Sequence, residues 1–218
     1  MALALETSEE RFVRKLLRNA DPGKRSAIIL VGSAVRQGAM SDTSDIDMLA
    51  IGVEIPKFPP PRIQVLPLTE DAFRKRVFDG DDFAQWSLRF GKPIAGRVYW
   101  RRIRDELLPV APWPDHERKR NQARIRLAFA EQLVRIGDDD AAREELRFAL
   151  SHLARAALLE QGVFPLSRGE LASQLRAVSD DHLATAIERL NHADENGDDL
   201  AHAIDLAEQR LATTESHE

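Results

Sequence analysis

Two aspartates separated by a single residue, Asp45 and Asp47, stand at the head of an apolar run, and a Gly-Ser pair, Gly32-Ser33, closes the apolar run before it. In an extended strand alternate side chains share a face, so the two carboxylates point the same way. Held side by side they repel, and a divalent cation between them relieves the repulsion. Carboxylate oxygens are hard ligands, and Mg²⁺ is usually held by one or two of them together with phosphate oxygens. Glycine at a strand end lets backbone N–H groups approach an anion closely, and a helical turn after it aims its positive end at the same place. The residues that follow, AVRQGAM, suit such a turn and offer Arg36 to a phosphate. A phosphate-binding turn beside a metal-binding acid pair points to phosphoryl or nucleotidyl transfer from a nucleoside triphosphate.

The elements that must position these residues are readable around them. Residues 26–31 form a short apolar stretch bounded by turn signals, and residues 45–51 a second; both read as strands. Leu49 and Ile51 continue the face of the acids, while Ile46, Met48 and Ala50 occupy the other, so the second strand is buried on both sides except at its start. A proline cluster from Pro56 to Pro61 leads into a third strand at 62–68. Residues 8–19 carry Phe12, Leu16 and Leu17 at helical spacing, and Thr69-Glu70-Asp71 opens another helix. The stretch FGKPIAGRVYW reads as a turn followed by a short strand. After Pro112-Trp113-Pro114 the pattern becomes helical throughout. Residues 115–136 place Ile125, Phe129, Leu133 and Ile136 on one stripe, and residues 139–160 do the same with Leu146, Leu150, Leu153 and Ala157. Ser167 and Glu170 form a capping-box pattern, and helices follow at 179–191 and 198–212. The expected fold is α+β: an N-terminal unit over residues 1–112 with a small mixed sheet and helices, then an all-α bundle over residues 113–218.

The stretch VGSAVRQGAMSDTSDIDML resembles the signature of the polymerase-beta-like nucleotidyltransferases. Val31, Gly32 and Ser33, a gap of roughly ten residues, then Asp45, Ile46, Asp47 and Met48 fill its positions, with Ser44 before the first acid. ALLEQGVFPLSRGELASQL is similar to the helical domain of minimal and aminoglycoside-type members. The resemblance implies transfer of NMP, with ATP the expected donor, to a hydroxyl acceptor with release of pyrophosphate. Asp45 and Asp47 would hold Mg²⁺; Gly32, Ser33 and Ser44 would bind the nucleotide, with Arg36 neutralising charge. The acceptor could be a small molecule, a protein hydroxyl or an RNA end. In the helical half, Arg147 and His152 have the Arg-x4-His spacing of HEPN ribonucleases, but five residues turn a helix by about 140°, so the two diverge. An HEPN-like fold without that activity is the expectation.

One position departs from the family. A third carboxylate normally comes from the next strand, where alternation puts Gln64. Glutamine can ligate through its carbonyl but cannot act as a base near neutral pH. Three alternatives stay open: another acid substitutes (Glu54, Glu117, Glu131, Glu144 or Glu145), two carboxylates suffice, or the chain is a catalytically impaired nucleotide-binding or antitoxin-like interaction module.

Totals bound the rest. The chain has 218 residues, no cysteine and a net charge of −5. Thiolate chemistry and disulfides are excluded, and a nucleic-acid partner is disfavoured by the overall charge. No signal peptide and no run of about 18 apolar residues is evident, so a cytoplasmic protein without membrane contact is expected. The oligomeric state is open, a homodimer included.

Overall fold

A computed structural model of the chain describes residues 7–20, 23, 25–35, 45–192 and 197–215. The fold is α+β, and the chain divides into two compact units, Met1–Pro114 and Asp115–Glu218. No helix among the described residues is long and apolar enough to cross a membrane.

In the first unit, helix α1 (Thr7–Asn19) precedes strand β1 (Ala27–Leu30), a 3-10 turn (Gly32–Val35), and strands β2 (Ile46–Ile51) and β3 (Ile63–Leu68). Helices α2 (Glu70–Phe78) and α3 (Asp82–Phe90), strand β4 (Lys92–Ala95) and helix α4 (Arg97–Leu107) complete it. The sheet order is β3-β2-β1-β4. β1 runs antiparallel to both β2 and β4, whereas β2 and β3 are parallel. A parallel pair needs a connection that travels back along the sheet. Here residues 52–62 do so without a helix, passing over the α1 side, where Val53 is buried and Ile55 half-buried. Both edge strands carry a proline, Pro67 in β3 and Pro93 in β4.

Helices cover both faces of the sheet, which is why the two central strands are almost continuously apolar. On one face Ile28, Leu30, Ile46, Met48 and Ala50 pack against Phe12, Val13 and Leu16 of α1. On the other, Ala27, Ile29, Leu49 and Ile51 pack against Phe73, Val77, Leu88, Trp100, Ile103 and Leu107 of α2, α3 and α4. Side-chain oxygens cap two of these helices: Thr69 accepts from the Ala72 N–H at 3.1 Å and Asp81 from the Ala84 N–H at 2.9 Å. Gly96 joins β4 to α4 at φ +66°; a Cβ there would lie 2.0 Å from the Ser26 carbonyl oxygen, so only glycine fits. Glu70 ties α2 to α4, accepting from Tyr99 Oη at 2.7 Å, from Arg74 at 2.7 Å and from Arg102 at 3.1 Å. Burial works against the Glu70 charge, but the bonds from Tyr99 and Arg74 and the guanidinium charges outweigh it and hold the carboxyl below its ordinary range.

The second unit contains α5 (His116–Arg135), α6 (Asp139–Glu160), a 3-10 turn (Arg168–Glu170), α7 (Leu171–Ala177), α8 (Asp181–His192) and α9 (Gly197–Glu215). Its core joins Ala123, Leu127 and Ala130 of α5 to Ala142, Leu146, Ala149, Leu150 and Leu153 of α6 and to the helices that follow. Ser167 and Glu170 form the capping box, with Ser167 Oγ donating to Glu170 at 2.6 Å.

Two sequence expectations are corrected. The short strand expected within residues 90–100 is present as β4, but it ends at Ala95 and the arginine-rich residues after Gly96 begin the helix α4, while residues 82–90 form the helix α3. Three of the four residues of the stripe on α5 point outward: Ile125 is 58%, Phe129 50% and Ile136 76% exposed, whereas Leu133 packs half-buried against the bundle core, and Lys119 and Arg120 lie on the buried side. Arg120 is accommodated there by Glu117 and Glu160, which both accept from its guanidinium. Arg147, for its part, is engaged structurally: its guanidinium donates to the Leu190 carbonyl at 3.0 and 3.1 Å.

Candidate active site

The end of β1, the start of β2 and the start of β3 meet at one end of the sheet. Antiparallel pairing sets Leu30 opposite Met48, and one step on the Val31 N–H donates to the Asp47 carbonyl at 3.0 Å. The Gly32 turn is thereby fixed beside the acids. Gly32 has φ +64°, and a Cβ on it would lie 3.0 Å from Asp47 Oδ2, so the turn presses directly on that carboxylate. Parallel pairing sets Gln64 beside Asp47, and Gln64 Nε2 donates to Asp45 Oδ2 at 3.0 Å. Asp45, Asp47, Gln64 and Gly32 therefore converge within a few ångströms, from three separate segments. The strand itself begins at Ile46, with Asp45 just ahead of it, exposed, and Asp47 half-buried.

Burial first, and the Asp45 charge second, push the Asp47 carboxyl above its ordinary range. Both causes penalise the ionised form, and a cation at this point would relieve both. Among the described residues no group of three or more His, Asp or Glu side chains could hold a metal. The donor set is thus two carboxylates with the Gln64 amide alongside. That set fits Mg²⁺, which takes few protein ligands and completes its shell with water and phosphate oxygens. A cavity of about 190 Å³ opens here, lined by Asp47, Gln64, Leu66 and Phe83 among others. It is smaller than the roughly 300–1,000 Å³ of sites that enclose a drug-sized ligand, and offers room for a hydrated cation and a phosphate group.

The remaining sequence candidates fall out differently. Ser33 lies in the 3-10 turn, its side chain outside the described residues, as are Arg36 and Ser44 altogether. Glu54 follows the far end of β2, where its carbonyl accepts from Asn19 Nδ2 at 2.8 Å, and so stands away from the acids. Glu117, Glu144 and Glu145 hold Arg120, Arg147 and Arg126 of their own unit. Two residues escaped sequence reasoning. Phe83 of α3 lines the cavity. Lys92, paired with Leu30 across β4 and β1, reaches the last carbonyl of the Gly32 turn, with Nζ donating to Val35 O at 2.6 Å. The pairing of β4 with β1 reveals Lys92, and the packing of α3 on the sheet reveals Phe83.

No protein-family model matches the chain, and no curated protein matches it. Among solved structures, the chain is similar to the crystal structure of a nucleotidyltransferase-like protein from Exiguobacterium sibiricum 255-15. The two share 19% identity at a TM-score of 0.49, over 94% of this chain and 74% of that one.

Proposed function

We propose that the protein is a Mg²⁺-dependent nucleotidyltransferase that moves NMP, with AMP from ATP the first choice, onto a hydroxyl acceptor and releases pyrophosphate. The supporting observation is the convergence of Asp45 and Asp47 at the one open end of an otherwise buried strand, with a glycine turn pressed against Asp47. Folding such a pair is unfavourable by itself, which makes sense where a bound cation completes it. Asp45 and Asp47 would hold Mg²⁺, whose chemistry is to neutralise the triphosphate and polarise the transferred phosphoryl group. The amides of the Gly32 turn would orient the phosphates, and Lys92 would brace that turn from beneath. A cationic small-molecule acceptor is the reading that best suits the acidic chain, working in the cytoplasm.

A second reading follows from Gln64. It stands where a proton-accepting carboxylate would be, and it donates a hydrogen bond to Asp45 instead. That favours a module that binds nucleotide without turnover. Incubation with labelled ATP, Mg²⁺ and a panel of hydroxyl acceptors separates the two. Label transfer that disappears in Asp47→Asn supports the enzyme. Uptake of MgATP without transfer, converted to transfer by Gln64→Glu, supports the module. Neither uptake nor transfer refutes both.

A further inference from the structure

In the first unit the exposed large apolar side chains are scattered: Phe58 lies between β2 and β3, Phe78 ends α2, Val98 is on α4, and Val110 and Trp113 follow it. Residues scattered in this way need no explanation. Helix α5 is different. At about 100° per residue, Ile125, Phe129, Gln132 and Ile136 fall within about 60° of arc, and all four are exposed. They stand opposite Ala123, Leu127 and Ala130, the side that packs into the bundle core. The helix therefore has two apolar faces, and its own bundle uses one of them. Beside the outer stripe a cavity of about 430 Å³ opens between α5 and α6, lined by Arg126, Phe129, Gln132, Leu133, Ile136 and Glu145. One wall of it is held firmly: the Arg126 guanidinium donates to Glu145 at 2.8 and 3.0 Å and lies 5.0 Å from the centre of the Phe148 ring.

This face carries both a projecting side chain, Ile125, and a receptacle further along the same helix. Ile125 and Leu133 lie four residues either side of Phe129. Two copies of α5 crossing antiparallel about Phe129 therefore put each Ile125 over the cavity of the other. Charge selects the same orientation. Exposed Arg118 and half-buried Arg124 lie in the first half of the helix, and Asp138, Asp139 and Asp140, all exposed, follow its last turn. Arg118 and Asp140 stand eleven residues either side of Phe129. An antiparallel crossing lays the basic half of each helix on the acidic end of the other, whereas a parallel one sets like charge on like. A surface complementary to itself under a twofold axis is what an isologous dimer requires. A different protein would not need the face to hold both the projecting residue and its receptacle, or both signs of charge at matched distances. We propose that the outer face of α5 is the interface of a homodimer, in which a second copy of this chain crosses antiparallel about Phe129 and each Ile125 seats in the groove formed by Phe129, Leu133 and Ile136 of the other. The inference rests on the second unit alone and is independent of the catalytic reading.

The test is sedimentation equilibrium of the full chain from about 1 to 100 µM, where the upper end should give twice the chain mass. Each substitution acts twice across the twofold. Burying an isoleucine contributes about tenfold or more at each copy, so Ile125→Asp should weaken association by about a hundredfold or more. Ile125 is exposed within the chain, so the far-ultraviolet circular dichroism of this variant should match the wild type. Val98→Asp, at an 83% exposed apolar residue of the first unit, should leave the dimer intact. Arg118→Glu and Asp140→Arg should each weaken the dimer several-fold at low salt, and the two together in one chain should restore it, because both contacts of the twofold are then reversed. A chain that stays monomeric at the highest concentration leaves the face to another protein and overturns the dimer. So does a dimer that survives Ile125→Asp, an equal loss in Val98→Asp, or a double charge variant no tighter than the single ones.

Discussion

Gly32→Ala separates the conformational role of this glycine from its role at the site. At φ +64° a side-chain-bearing residue costs about 1–2 kcal/mol. Gly80, in the turn between α2 and α3, has φ +73° and nothing within 4 Å of an added Cβ, so Gly80→Ala incurs the same conformational cost and nothing more. At Gly32 the added Cβ meets Asp47 Oδ2 at 3.0 Å, closer than such contacts normally run, and the carboxylate or the turn must give by a few tenths of an ångström. Gly80→Ala should therefore lose about 1–2 kcal/mol in urea unfolding, and Gly32→Ala at least as much. Only Gly32→Ala should weaken MgATP uptake, by about tenfold or more if one charge-assisted hydrogen bond from the turn is lost. Calorimetric titration of MgATP into the two variants and the wild type reads the difference. Equal MgATP affinities in Gly32→Ala and Gly80→Ala would refute the placement of the phosphates on this turn.

Other outcomes follow from the same geometry. Because burial and Asp45 raise the Asp47 pKa, the folded state holds that proton more tightly than the unfolded chain; the group stabilises below its unfolded value of 3.8 and loses this contribution as pH rises through the folded value. Asp47→Asn should then raise the urea midpoint at pH 7 in the absence of Mg²⁺ while abolishing Mg²⁺-dependent ATP uptake; a lowered midpoint contradicts the electrostatics. Lys92→Met removes the 2.6 Å bond to Val35 O, costing about 1 kcal/mol and weakening MgATP several-fold, and an unchanged calorimetric affinity would clear Lys92 of any part in the site. Tyr99 is the chain's single tyrosine, so ultraviolet titration reads it alone. Burial, the bond to Glu70 and the Glu70 charge push its phenol up to about 12, so the stability it contributes is complete below pH 10 and lost as pH rises through 12. A midpoint near 10 would mean that the Glu70 network does not form in solution.

Much of the first unit is legible because its chemistry and its burial obey the same alternation. Asp47, Leu49 and Ile51 share one face and Ile46, Met48 and Ala50 the other, and the packing divides along that line. The helix α4 is harder to see, since Trp100, Ile103 and Leu107 reach the core from a segment otherwise filled with arginines. On α5 hydrophobicity misleads outright. Its buried side is built from Ala123, Leu127 and Ala130, small enough for close approach to the alanines of α6, with Arg120 tolerated because two glutamates meet it. Ile125, Phe129 and Ile136 are left outside. Pattern reading weighs side-chain greasiness and cannot anticipate an interface chosen for small size and paired charge. Lys92 and Phe83 illustrate a second limit, for each joins the site through pairings remote in sequence.

Pro67 and Pro93 bear on how this molecule meets its own kind. An outermost strand offers a fringe of main-chain groups onto which another chain can zip, and a residue without an N–H breaks that fringe. With one such interruption on β3 and another on β4, continuous growth of the sheet sideways is closed from left and right alike. Self-association, if the chain uses it, has to run through helix surfaces, and replacing both prolines with valine should turn a well-behaved solution into one that forms ribbons.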